Sequence, residues 1–113
     1  MDYVVVDKQY AQGDVMFIKR NDLPAGLKEQ GNLIVTHSET GHHHVLEHEV
    51  KAPPPKIFVK DDFVSYIQVF GSHADVVHKR SFDTHKTLRL GKGVWEVRRQ
   101  REYTPSGFRR VED

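Results

Sequence analysis

Histidine is concentrated in one internal stretch, residues 36–50, THSETGHHHVLEHEV, which holds five of the eight histidines of the 113-residue chain. If this stretch is extended, its side chains alternate, so His42 and His44 lie on one face. Positions i and i+2 of a strand are roughly 6.6 Å apart, and two imidazoles at that spacing can bind one ion at metal–nitrogen distances of ~2.0–2.1 Å. The H-x-H spacing therefore predicts half of a metal site.

The other ligands are expected from the later segment ADVVHKRSFDTHKTL, which carries His78 and His85. Four neutral imidazoles, or three with a carboxylate from Glu47 or Asp83, suit zinc, iron, nickel or copper. An open coordination position would make such a site catalytic, and a filled one structural. The alternative interpretation is that these histidines are half-exposed polar residues that satisfy their own hydrogen bonds.

A second unusual segment, EVRRQREYTPSGFRR (96–110), is rich in arginine. Strand alternation puts Arg99 and Arg101 on a face that begins with Trp95 and Val97, so we expect at least one of the two guanidinium groups to be partly covered and paired with a carboxylate or a bound anion. Guanidinium groups beside an aromatic ring are typical of a surface that binds phosphate or nucleic acid. The same sequence pattern is also typical of an edge strand that arginines keep soluble. The candidate anion- or nucleic-acid-binding residues are Arg99, Arg101, Arg109 and Arg110.

The opposite face of this segment carries charges of both signs, including Glu96 and Arg98, and is interpreted as a solvated or cross-strand-paired surface. Glu102 and Tyr103 are the candidates for a catalytic acid/base pair beside a metal. The sequence contains no G-x-S-x-G, H-E-x-x-H or glycine-rich phosphate-binding motif.

Short runs of β-branched and aromatic residues recur along the chain, separated by turn residues, and helical periodicity is almost missing. This pattern predicts that β-strands position the candidate side chains. We expect one all-β domain over residues 1–113, a compact barrel or sandwich of about eight antiparallel strands. The GKG segment (91–93) is predicted to be a hairpin turn. The run FVSYIQVF (63–70) is apolar on both alternating faces and predicts either a central strand covered on both sides or a strand that crosses the core of a small barrel. The predicted strands are 3–6, 14–20, 32–37, 42–50, 56–60, 63–70, 74–80, 86–90 and 93–103.

The composition excludes several classes of protein. The chain has no cysteine, which rules out disulfides and thiolate-bound metals. Its net charge is only +1, so any binding of nucleic acid has to depend on a local cluster of positive charge. No secretory leader and no apolar run of the ~20 residues that span a bilayer is recognised. We expect a cytoplasmic or virion-associated protein that has no membrane partner and is compatible with self-association as a homo-oligomer.

Three segments, QGDVMFIK, TGHHH and HKTLRLGKGVWEVRRQREYTP, occur in this order from residue 12 to residue 105. Together they resemble a family of small uncharacterised bacterial and bacteriophage proteins with T-G-H-x-H and R-Q-R-E-Y-x-P motifs. The resemblance implies no activity, because none is assigned to that family. The positions that match its pattern are Thr40, Gly41, His42, His44, His85, Arg99, Gln100, Arg101, Glu102 and Tyr103.

An H-x-H pair on a β-scaffold is also similar to the first motif of the cupins, and implies a cupin-like or jelly-roll-like barrel by analogy. Cupins place a glutamate a few residues after H-x-H, where this chain has Glu47 and Glu49. The second cupin motif, P-x-G before a histidine, is absent. The analogy concerns the fold and carries no substrate.

Two functional hypotheses follow. The first is a small metal-binding β-domain, either a metal-dependent enzyme or a binding protein, with His42, His44, His85 and His78 as ligands. The second is a non-enzymatic bacteriophage structural or accessory protein that binds a protein partner or nucleic acid through its arginine-rich C-terminal strand.

Overall fold

A computed structural model describes residues 3–12, 14–36, 43–79, 86–99, 101–104 and 107–110. Within these ranges the chain is all-β, as predicted, and contains no helix. No helix in this part of the chain is therefore long and apolar enough to cross a membrane. The strands are β1 Tyr3–Val6, β2 Gln9–Gln12, β3 Val15–Arg20, β4 Lys28–Gln30, β5 Ile34–Thr36, β6 His43–His48, β7 Lys56–Val59, β8 Val64–Lys79, β9 Thr87–Arg99, β10 Arg101–Thr104 and β11 Gly107–Arg110.

Nine of these strands form one curled sheet, a half-barrel whose main path runs β2-β3-β9-β8-β6-β5. β7 pairs with β8 and carries β4 on its other edge, while β1 adds to β9 in parallel. All other pairings are antiparallel among the described strands, as expected. β10 and β11 form a separate two-stranded sheet.

Two long bent strands, β8 and β9, hold the half-barrel together. The first half of β8 pairs with β7 and the second half with β6. On its other edge, β8 pairs with β9 along both halves. The register of β8 and β9 shifts between Val69 and His73, opposite glycines at positions 91 and 93. Between these two pairs β8 has three residues and β9 only one. Extra residues in one strand bend the pair and increase its twist, so one pair of strands can contribute to both walls of the curled sheet.

The prediction of a hairpin at GKG was wrong. β9 runs through this segment without reversing, because Leu90 before it and Val94 after it both pair with β8. Gly93 adopts a φ of 129°, a left-handed value that glycine tolerates, and the Trp95 indole Nε1 donates to the Gly91 carbonyl at 2.9 Å. The two glycines therefore make a bend. The predicted strands 63–70 and 74–80 are likewise two halves of β8.

The main core fills the concave side of the sheet, and a smaller cluster lies on the other face. β8 contributes to both: Ile67 and Val69 belong to the main core, whereas Val64 and Tyr66 pack in the smaller cluster beneath Leu23 and other residues. The prediction of a central strand covered on both sides is confirmed. The largest fully buried side chains are Trp95, Phe17, Ile57, Ile67, Leu88 and Leu90.

Candidate functional site

Two of the four predicted metal ligands are direct neighbours in the sheet. His44 on β6 is the antiparallel register partner of His78 on β8. Directly opposed residues of an antiparallel pair share a face and have Cβ atoms about 4.5–5.5 Å apart. This cross-strand relation is closer than the i, i+2 spacing from which the site was predicted.

His44 lies on the core-facing side of β6. The next pair along the same face is Leu46 with Val76, and both belong to the main core, with 3% and 0% of their surfaces exposed. His44 itself is half-buried, and its Nε2 atom is shielded from solvent. The imidazole of His44 therefore lies at the end of the hydrophobic core.

Gln12 is a buried polar residue that sequence reasoning missed. Only 6% of it is exposed, and its Nε2 donates to the carbonyl of Lys86 at 2.8 Å. Lys86 precedes β9 by one residue and follows His85. Leu88 of β9 is the register partner of Val76. Continuing this antiparallel register by two residues places Lys86 opposite His78. Gln12 is thereby tied to the backbone beside both later histidines.

The Oε1 atom of Gln12 is buried and accepts no hydrogen bond within the part of the chain that the structure describes. Because its Nε2 faces a carbonyl, the orientation of the amide is fixed by hydrogen bonding. A buried acceptor without a donor costs free energy, on the order of 1–3 kcal/mol. An imidazole N–H or a bound water would satisfy it. The only signal in the sequence is the alternation of QYAQ, which puts Gln12 on the same side as Tyr10.

Several other predicted residues lie outside the described residues, namely His42, His85 and Asp83, so their positions stay predictions. Over the described ranges, no group of three histidine, aspartate or glutamate residues lies close enough to hold a metal ion. Glu47 is exposed and alternates to the face opposite His44, which makes it unsuitable as a ligand for the same ion. His48 contacts the carbonyl of Glu49 through Nδ1 at 2.9 Å.

Glu96 forms a buried ionic network on the convex side of the sheet. Only 4% of Glu96 is exposed, and its carboxylate accepts hydrogen bonds from Arg20 Nε at 3.2 Å, from Arg98 Nε and from the Tyr66 hydroxyl at 3.2 Å. The interpretation of this face as a solvated surface was wrong for Glu96. Cross-strand pairing was the correct part of it, since Tyr66 is the register partner of Glu96. Leu27, Phe58 and Phe63 pack in the cluster that covers this side.

Burial and charge act in opposite directions on Glu96. Burial favours the neutral acid and raises its pKa, but hydrogen bonds and attraction from Arg20 and Arg98 outweigh burial and hold the pKa below its usual value. For Tyr66, burial and the neighbouring Glu96 carboxylate both raise the pKa of the phenol. Glu96 is thus an ionised acceptor and Tyr66 a neutral donor near pH 7, an arrangement that fits a structural role.

Ser72, His73 and Glu49 also come together, at the bend of β8. The Ser72 hydroxyl donates to Glu49 Oε1 at 2.8 Å and lies 3.1 Å from His73 Nδ1, while Glu49 Oε1 is 3.3 Å from the same nitrogen. A hydrolytic triad needs serine and carboxylate on different ring nitrogens. Because both groups contact Nδ1, this cluster is not a nucleophilic triad.

Of the candidate anion-binding residues, Arg99 is the only one whose side chain falls in the described part of the structure. Arg99 is half-buried and lines a cavity of 270 Å³. Arg101, Arg109 and Arg110 lie on the hairpin of β10 and β11, where Arg101 is the register partner of Arg110. Glu102 and Tyr103 are consecutive in β10, and their role as an acid/base pair stays a prediction.

A model of one protein family matches residues 11–100, from the last two residues of β2 to the end of β9. The match includes Gln12, His44, His78, Glu96 and Arg99. The hairpin of β10 and β11, which carries most of the R-Q-R-E-Y segment, lies outside the matched residues. No curated protein and no solved structure gives a significant match. The chain belongs to the family described as a domain of unknown function, DUF8820.

Proposed function

We propose that the chain is a small metal-binding β-domain whose ion is held by His44 and His78, with His42 and His85 as the further ligands predicted from the sequence. The single observation that carries the proposal is the register of β6 and β8, in which His44 is the direct partner of His78. Two imidazoles on one face of a sheet make a rigid half-site, because both backbones are fixed by ladder hydrogen bonds.

The surroundings favour a divalent transition metal such as zinc, iron or nickel. Imidazole nitrogen is a borderline ligand that suits these ions, and the chain offers no thiolate as a competing donor. Gln12 is bound to the Lys86 carbonyl, and its buried Oε1 is an acceptor of the kind that orients a ligating imidazole through its second ring nitrogen. The cupin-like layout belongs to this proposal as well, since an H-x-H pair facing into a β-barrel is the cupin arrangement.

Metal analysis of protein purified without a nickel resin tests the proposal. We expect about one equivalent of zinc per chain after zinc loading and desalting. His44→Ala and His78→Ala should each abolish stoichiometric binding, because a site with one imidazole fewer loses most of its affinity. His48→Ala is the matched control, since His48 lies on the same strand but its ring contacts a backbone carbonyl.

Far-UV circular dichroism has to show that each variant keeps its β-sheet. Wild-type protein that retains no more zinc than the folded His44→Ala and His78→Ala variants would overturn the proposal. The histidines would then be polar residues at the end of the core.

A second candidate function rests on a different observation, the register of β10 and β11. Arg101 is opposite Arg110 there, and like charges directly opposed on a strand pair are destabilising unless an anion lies between them. We propose as the alternative that this hairpin binds nucleic acid or an acidic protein partner, as an accessory protein of bacteriophage or bacterial origin in the cytoplasm or the virion would. A single-stranded oligonucleotide that binds wild type, with a salt-dependent affinity lost in Arg101→Gln/Arg110→Gln, tests it.

A further inference from the structure

A cavity of 270 Å³ opens beside the start of β8 and the end of β9, and Ile34 and Val35 of β5 also line it. Apolar side chains from several strands line it, including Val35, Val59 and Val97. Val35 and Val97 also belong to the main core, with 9% and 2% of their surfaces exposed. The floor of the cavity is therefore continuous with the hydrophobic core, as in small-molecule sites.

Arg99 supplies the positive charge of this cavity. It is half-buried at the end of β9, and its backbone N–H donates to the Phe63 carbonyl at 2.8 Å, which fixes the residue in the cavity wall. It lies on the same face of β9 as Val97, since these positions are two residues apart. A guanidinium group is thus held beside apolar side chains.

Arg99 differs from the other arginines whose side chains are described. Arg20 and Arg98 pair with Glu96, and Arg89 pairs with Asp75 through Nε at 2.9 Å. Arg99, in contrast, forms no ion pair or side-chain hydrogen bond with any residue in the described ranges. A partly desolvated guanidinium without a counter-ion is costly, and a bound anion would remove the cost.

The acidic residues of the cavity wall do not neutralise Arg99. Asp61 uses its Oδ1 to accept hydrogen bonds from the backbone N–H groups of Phe63 at 2.8 Å and Val64 at 2.9 Å, which closes the turn before β8. Asp62 is exposed. Both carboxylates nevertheless contribute negative potential at the rim, which disfavours a dianion such as phosphate.

We propose that this cavity binds a small organic monocarboxylate, whose carboxylate pairs with Arg99 and whose apolar body contacts Val35, Val59 and Val97. Arginine presents two parallel N–H donors that match a carboxylate, and such bidentate bonds are stronger when partly shielded from water. The half-buried Ser65 in the same wall adds a hydroxyl that can donate to the ligand. The proposal uses none of the four proposed metal ligands and does not depend on them.

Benzoate is the probe for this site, with benzamide as its uncharged counterpart of nearly the same shape. In ¹H–¹⁵N NMR titrations of the full chain, benzoate should cause saturable shifts of the Arg99 Nε–H and of the Ser65 and Val97 amide signals. Benzamide should bind at least about tenfold more weakly, because it cannot form the charge-assisted pair.

Arg99→Gln should weaken benzoate binding at least about tenfold, whereas Lys60→Gln, which removes an exposed positive charge beside the cavity, should leave it within about twofold. If Arg99→Gln does not fold, the comparison of benzoate with benzamide on wild type still decides. Equal binding of the two probes, shifts elsewhere on the sheet, or no saturable shift at all would overturn the proposal. Displacement of benzoate by inorganic phosphate at equal concentration would contradict the preference for a monocarboxylate.

Discussion

Tyr66 and Glu96 are direct register partners on β8 and β9, and the Tyr66 hydroxyl donates to Glu96 Oε1 at 3.2 Å. The same carboxylate pairs with Arg20 and Arg98, so one buried acid is neutralised by two guanidinium groups from β3 and β9. Glu96 therefore links three adjacent strands on the convex side of the half-barrel. Removing its charge should weaken all three links together.

Glu96→Gln should lower the free energy of unfolding by about 2–3 kcal/mol. Breaking a buried ion pair typically costs 3–5 kcal/mol, and the expected loss is smaller here because Arg20 and Arg98 retain 45% and 31% side-chain exposure and can be rehydrated. Urea denaturation at pH 7 measures the change. Tyr66→Phe, which removes only one donor, should cost about 1–2 kcal/mol. A loss in Glu96→Gln no larger than that of Tyr66→Phe would mean that the arginine pairs contribute nothing.

The same network makes stability fall in acid. The pKa of Glu96 is held below its usual value of 4.5, so its ionised form stabilises the folded chain above the pKa of the unfolded state. This contribution is lost as the pH falls through the folded-state pKa, where the carboxylate takes up a proton. The stability difference between wild type and Glu96→Gln, measured by urea denaturation between pH 7 and pH 3, should therefore shrink as the pH is lowered. A difference that stays constant with pH contradicts an ionised Glu96.

Gly93 is predicted to be essential for the bend of β9, and Gly91 to be dispensable. Gly93→Ala forces an L side chain into a φ of 129° and brings its Cβ against Lys19 Nζ, so we expect a loss of about 1–3 kcal/mol. Gly91→Ala is the matched control, since a Cβ there meets nothing within 4 Å. Thermal unfolding of the two variants checks the difference. Equal melting temperatures would show that β9 can bend without a left-handed residue.

Strand runs with strong alternation were predictable from the sequence, and short polar strands were not. The predicted segments 3–6, 14–20 and 56–60 correspond to β1, β3 and β7 to within one residue at either end. β2 and β4 were missed because QYAQ and KEQ carry too few β-branched residues to stand out. They become strands because a neighbouring strand offers them hydrogen bonds, which is a tertiary effect.

For the candidate site, strand alternation could predict which side chains share a face of one strand, but not which residues are opposite each other on neighbouring strands. Alternation put His44 on the same face as His42, but its pairing with His78 depends on the register of β6 and β8, which the sequence does not encode locally. Glu96 was interpreted as solvated because charged residues are rarely buried, whereas Leu27 and Phe63 from distant segments pack on that side. That residues 1–113 form one domain stays a prediction.

Gln12 gives the last prediction, which rests on the proposed metal site. Gln12→Met replaces a buried amide by an apolar side chain of similar length. In the metal-free chain this substitution removes the hydrogen bond to Lys86, which is destabilising, and the buried acceptor that lacks a donor, which is stabilising. Because the two effects oppose each other, the free energy of unfolding should change by less than about 1 kcal/mol.

If Gln12 Oε1 orients a ligating imidazole, the zinc affinity of Gln12→Met should fall by about 10–100-fold, the usual effect of removing the partner of a ligand. Zinc competition against a chromophoric chelator measures the affinity, and urea denaturation of the metal-free protein measures the stability. Zinc bound as tightly by Gln12→Met as by wild type would separate Gln12 from the metal site. The site itself would then rest on the His44→Ala and His78→Ala variants alone.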